Sequence, residues 1–161
     1  MRIEELVGRA ENERAVKKAL SEGYFLSAIF IMLDGAKPVK EWRLIFFNPH
    51  SKKMVEFFYN GAFEKGEVEE RDKDILPLDI SEVKIEIDDA LKTAKGEFDK
   101  KSSSKVVSYL ISLHPKKIDA VTETVWTISM IYAGMRVQTY DIDAATGEIL
   151  DEESASLMTV G

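Results

Sequence analysis

Between Tyr24 and Leu33 the chain reads YFLSAIFIML, a run almost without polar side chains and rich in aromatic and branched ones. A run that short reads as a strand buried on much of both faces. The two segments that follow, Glu41–Phe47 and Met54–Tyr59, flank a polar turn containing Pro49 and read as an antiparallel hairpin with a longer loop. Trp42, Leu44 and Phe46 share one face of it, but Ile45 and Phe47 occupy the other, and Val55, Phe57 and Tyr59 alternate against Phe58. A sheet that is apolar on both sides must be covered twice. The cover is either the rest of this chain or something outside it, a dimer mate or a bound partner. Phe47, Phe57 and Tyr59 mark the surface an outside partner would use.

The remaining elements follow from spacing. Ile3, Leu6, Val7 and Ala10, resumed by Val16 and Leu20, predict an amphipathic helix over about Arg2–Ser21, or two helices broken near Asn12, with Gly23 as the stop. Asp34-Gly35 and Pro38 end the apolar strand, Glu64–Asp74 reads as a charged turn, and Ile75–Leu78 crosses to a second unit. Asp79 or Ser81 starts a helix carrying Ile87, Ala90, Leu91, Ala94 and Phe98. After Ser102-Ser103-Ser104, the spacing of Val106, Tyr109, Leu110 and Leu113 predicts another helix, ending before Pro115. Ile118–Thr124, Val125–Tyr132 and Met135–Asp143 read as strands, the last two joined by a tight turn at Ala133-Gly134. EESASLMTVG is either a short strand or a frayed tail.

This order of elements occurs twice. Met54–Val68 can be laid on Met135–Ile149 without a gap, matching Met54 to Met135, Tyr59 to Tyr140, Gly66 to Gly147 and Glu67 to Glu148, while Trp42 answers Trp126. Duplication predicts an α+β fold of two repeats, 1–78 and 79–161, each with helix packed on a small antiparallel sheet, the two forming one unit. The second repeat resembles the PepSY family. The resemblance rests on the helix with Ala90 and Ala94, the strand starting near Trp126, and the closing Asp143-Ala144-Ala145-Thr146-Gly147-Glu148-Ile149. It implies a cystatin-like helix-on-sheet architecture, in which Trp42, Trp126, Asp143, Thr146, Gly147 and Glu148 are structural.

Chemistry is sparse. There is no cysteine, so disulfides, thiolate catalysis and cysteine-ligated zinc are excluded. Counted from Asp141, a calcium loop would need an oxygen ligand at Ala145 and glycine at Thr146; Glu152 falls in place, but the centre of the loop fails, so no metal is expected. Asp141 and Asp143 share a strand face and could form an acid–base pair, but Asp143 capping a turn with Gly147 at positive φ is the stronger reading. His50 and His114 lie in different repeats, each beside a proline, with no nucleophile at hand. No phosphate-cradling glycine loop exists, so no cofactor is expected. Against 22 Lys+Arg stand 29 Asp+Glu, a net charge of −7, which excludes a general nucleic-acid binder. No run is long and apolar enough to span a membrane, and without a leader the chain as given is expected in the cytoplasm, although the resembled family is usually exported or membrane-attached. Three Asn and one Gln beside abundant Lys and Glu lean toward a thermophile's composition.

What the resemblance implies is a non-catalytic protein-binding or regulatory module, acting as a peptidase inhibitor or chaperone, that docks a sheet face or edge on its partner. Two alternatives stay open: a small-molecule binder or minor enzyme with a helix–sheet pocket near Tyr132, Tyr140 and Asp141, or a structural homodimer subunit.

Overall fold

The computed structural model describes residues 1–35 and 39–157. Pro38 and the tail from Met158 onward therefore lie outside the described residues. Eight strands form one antiparallel sheet: β1 (Phe25–Asp34), β2 (Trp42–Asn48), β3 (Lys53–Tyr59), β4 (Phe63–Glu70), β5 (Val106–Ile118), β6 (Val121–Tyr132), β7 (Arg136–Asp143) and β8 (Ile149–Ser156). Their spatial order is β4-β3-β2-β1-β5-β6-β7-β8, two four-stranded meanders joined through β1 and β5. At that junction Ile29, Ile31 and Leu33 face Leu113, Ile111 and Tyr109.

Helices α1 (Ile3–Glu11), α2 (Arg14–Ser21) and α3 (Ile87–Lys101) all lie on one side of this sheet. Their apolar stripes, Ile3/Leu6/Val7/Ala10, Val16/Ala19 and Ile87/Ala90/Ala94/Phe98, merge with inward strand residues into one core. The break between α1 and α2 falls at Asn12, whose side-chain amide donates to the Gly8 carbonyl, while Glu13 turns extended to start α2. Glu86 ties the helix layer together. It precedes α3 in extended conformation, and its carboxylate accepts the Ile3 amide at 3.0 Å, placing negative charge at the N-terminus of α1.

Four sequence expectations fail. Helix α3 starts at Ile87 rather than at Asp79 or Ser81, and Ile118–Thr124 is divided between the end of β5, a turn and the start of β6. Residues from Val106 to Leu113 are not a helix but the start of β5, the long strand at the heart of the sheet. A bulge between Val106 and Ser108 advances the strand by one residue, so Val106 and Tyr109 both point toward the helices at a helix-like spacing. Pro115 lies within β5 rather than ending an element. Glu64–Asp74 is also not simply a charged turn, because most of it is the edge strand β4. Its charges suit an edge, where they discourage pairing with other chains.

The connection after β4 returns along the ends of the strands. The Arg71 amide donates to the Lys52 carbonyl, and the Leu78 amide to the Leu26 carbonyl. The second of these sits at a bulge in β1, where the register jumps from Leu26/Phe46 to Ala28/Ile45 and Ser27 donates its hydroxyl to the Ile45 carbonyl. Leu78 enters the helix-side core, whereas Ile75 and Leu76 line a groove on the opposite side.

Candidate partner-binding face

With α1, α2 and α3 on one side, the other side of the sheet carries no helix among the described residues. In the first half this face is built from alternate residues of β1 to β3: Phe25, Ala28, Phe30 and Met32, then Arg43, Ile45 and Phe47, then Met54, Glu56 and Phe58. Burial within it is uneven. Phe47 is 1% exposed, flanked edge-to-face by Phe25 at 5.8 Å with Lys52 over its ring. Phe30 and Met32 are 44% and 66% exposed, and across the junction Leu110, paired with Met32, is 41% exposed. These three side chains form a continuous apolar surface on the central strands, where a fold without a partner would place its best-covered residues.

Two grooves flank Phe30. The larger, about 620 Å³, has Phe30, Ile45, Met54 and Phe58 as its floor and Glu56, Glu67, Glu69 and Arg71 around it. Its shape depends on Gly66, since a Cβ there would meet the Phe58 ring at 2.7 Å; glycine lets the ring lie across β4. Arg43 stacks over that ring at 5.1 Å and holds Glu56 at 2.6 Å, fixing the floor. The smaller groove, about 360 Å³, runs between Phe30, Ile45 and the crossing segment with Ile75 and Leu76, and reaches His114 and Pro115.

In the second half the same face is mixed: Leu110, Val125, Ile131 and Val137 lie on it, around a polar cluster. His114 Nε2 meets the Thr127 hydroxyl at 2.9 Å, and Thr127 donates to Asp141 Oδ1 at 2.6 Å. The other oxygen of Asp141 accepts from the Lys116 ammonium, so this buried carboxylate has donors on both oxygens. Burial pushes the His114 imidazole below its usual value, opposed by the Pro115 carbonyl beside Nδ1 and by Asp141. The hydrogen bond to Asp141 raises Lys116. The donors around Asp141 satisfy its carboxylate.

The segment Asp143–Glu148 is a clamp. Asp143 Oδ1 accepts the amides of Ala145 at 2.8 Å and Thr146 at 3.3 Å, and Gly147, at φ 82°, returns its amide to the Asp143 carbonyl. Thr146 Oγ1 accepts the Glu148 amide. The Ala144 carbonyl then takes the amides of both Lys84 and Ile85, the residues leading into α3, while Trp126 donates its indole N–H to the Ile85 carbonyl at 3.1 Å. The motif thus fixes where α3 starts over the sheet.

The other singled-out residues are placed as follows. Trp42 and Trp126 are core residues beneath the helices. Phe57 and Tyr59 belong to that same core, and Phe47 is covered on the opposite face, so in the single chain none of the three presents a surface. The exposed apolar residues of the helix-free face are instead Phe30, Met32 and Leu110. Asp141 lies on the opposite side of the sheet from Tyr132 and Tyr140, which excludes a pocket combining the three. Tyr140 is fully buried with no hydrogen-bond partner for its hydroxyl among the described residues, and burial raises its pKa. Asp141 and Asp143 share a face, but their carboxylates are engaged by separate donors. No group of three or more potential metal ligands occurs among the described residues.

The gapless match of the halves also changes. Trp42 lies opposite Tyr59 and Trp126 opposite Ile142, so hairpin register equates Tyr59 with Ile142 and not Tyr140. Gly66 sits within β4, whereas Gly147 forms a turn, and the two Gly-Glu pairs do different work.

Residues 84–153 match the family model described as peptidase propeptide and YPEB domain, PepSY. Over this stretch the chain is similar to a PepSY domain. The matched span runs from the segment held by Ala144, through α3, into β8, so the clamp closes the matched unit on itself. No curated protein sequence matches the chain. Among solved structures, a candidate lipoprotein of Clostridium difficile 630 is similar at 13% identity with a TM-score of 0.57, over 88% of this chain and 89% of that one. The shared fold therefore extends well beyond the PepSY span. No helix among the described residues is long and apolar enough to cross a membrane.

Proposed function

We propose that this protein is a non-catalytic binding module that recognises a protein partner on the helix-free face of its sheet, in the manner of a peptidase propeptide or holdase. The observation that carries this reading is the exposed cluster Phe30, Met32 and Leu110 at the centre of the sheet, beside a groove with an ordered apolar floor. The PepSY match supports a regulatory or binding role. The Asp141 carboxylate is held by Thr127 and Lys116 rather than poised as a free acid–base group.

On this reading 1–78 and 79–161 are two copies of one unit. The repeated meander supports that, as does the like position of Trp42 and Trp126 in their hairpins. An extracytoplasmic setting fits the family and the lipoprotein neighbour better than the cytoplasm does.

The test is complex formation with a panel of metallo- and serine peptidases, read as loss of peptidase activity and as co-elution. The expected result is one class inhibited by the parent protein and released by Phe30→Asp. Inhibition that Phe30→Asp leaves unchanged would remove this face from the proposal, and a panel with no complex would retire the peptidase role.

A further inference from the structure

The occupant of the groove can be narrowed by charge. Building on the binding role proposed above, we infer that the groove beside Phe30 takes an extended partner segment in which apolar side chains alternate with lysine or arginine. The floor is apolar and fixed, since Arg43 is spent on Glu56 and on the face of Phe58. The rim on β4 is acidic. Glu64 lies opposite Phe58, Glu67 lines the groove, and both are exposed without a cationic partner among the described residues. Glu69 is held by Arg71 at 3.3 Å, an exposed pair that leaves little net positive charge to spare.

Strand geometry suits such a segment. Its side chains point alternately to opposite sides, so one set can seat on Phe30, Ile45 and Met54 while flanking cations reach Glu64 and Glu67. The acidity is not confined to one margin, because β8 at the far edge carries Asp151 and Glu153 on the same face. The same charges argue against a second copy of this chain as the occupant: face-to-face stacking would bring acidic rim against acidic rim in a molecule of net charge −7. They equally repel a phosphate backbone.

The experiment uses the full chain and three fluorescent peptides: one alternating lysine with leucine and phenylalanine, one with glutamate replacing the lysines, and one with serine replacing the apolar residues. Anisotropy titrations at about 0.05 M salt should show the basic-apolar peptide binding at least ~10-fold tighter than either control, with most of its advantage over the acidic peptide lost at ~0.5 M. The double variant Glu64→Lys/Glu67→Lys, altered at exposed positions, should shift preference toward the acidic peptide. Phe30→Asp should lose binding while the chain still unfolds cooperatively.

The outcomes separate the two claims. If the acidic-apolar peptide binds as tightly as the basic one, and Phe30→Asp abolishes both, charge selection is overturned and the binding face stands. If Phe30→Asp leaves basic-peptide binding intact, the face itself is wrong and the proposed function falls with it. Absence of binding by every peptide up to about 1 mM overturns the occupant named here. So does concentration-dependent dimerisation that Phe30→Asp abolishes.

Discussion

The helix-free face of the first half differs in chemistry from that of the second half. Toward the helices both halves present the same chemistry, a tryptophan, branched aliphatics and large apolar side chains under a helix. On the other side, the first half sets out Phe30, Ile45, Phe47, Met54 and Phe58, whereas the second sets Ser112, His114, Thr127, Thr139 and Asp141 among Leu110, Val125, Ile131 and Val137. The helix side must hold the fold together and has little freedom to change. The open side carries no such burden, so its composition reflects use. Polar groups that satisfy one another can face water at no cost, but exposed aromatic surface gains only when something covers it.

The sharpest way to break this comparison is to charge the two phenylalanines of the open face separately. Phe47→Asp removes a buried ring and puts a carboxylate in its place with only Lys52 near it, and should cost about 3–5 kcal/mol in urea unfolding. Phe30→Asp should cost about 1–2 kcal/mol, well below the Phe47 loss. Equal losses would mean that Phe30 is part of the structural core. On the helix side the halves should respond alike: Trp42→Ala and Trp126→Ala are each expected to cost about 3–5 kcal/mol. Trp126 should be the costlier, because it also donates to the Ile85 carbonyl.

A smaller effect distinguishes the two glycines that looked alike in sequence. Gly147→Ala forces a side chain into a positive φ and should cost about 1–2 kcal/mol. Gly66→Ala carries no such strain, but it displaces the Phe58 ring. It should therefore alter peptide binding more than stability, which parallel melting and anisotropy measurements would show.

The smallest effect is the pH response of His114. Burial holds its folded pKa below 6.5, so the unfolded chain takes up the proton first. The stability it confers is present above about pH 6.5 and declines as pH falls through the lower folded pKa. His114→Gln should flatten the urea midpoint between pH 7.5 and pH 5 relative to the parent; a slope unchanged by the substitution would show that other groups carry it.

Much of the helix side was legible because its periods are simple. The stripe of α1 and α2 reads as helix with or without a break at Asn12, and the alternation around Trp42 and Trp126 reads as strand. β5 was not legible, because its bulge combines with outward-facing Leu110 to imitate helical spacing. β4 was hidden by being an edge strand with few residues to bury, so it carries no apolar period. The candidate face was half legible. The excess of apolar residues in the first hairpin showed that two sides needed cover, but nothing local says which side the distant helices will take. That choice decided that Phe57 and Tyr59 lie under the helices and that Phe30 does not.

The junction of β1 with β5 has a kinetic consequence. Every other strand pair in the sheet links neighbours in the chain, while this one brings Ile31 to Ile111. The entropy of closing so long a loop is recovered only after both flanking meanders exist to present whole strands. Refolding should accordingly show the hairpins forming early and the β1–β5 ladder late, with substitutions at Ile31 or Ile111 speeding unfolding far more than they slow folding.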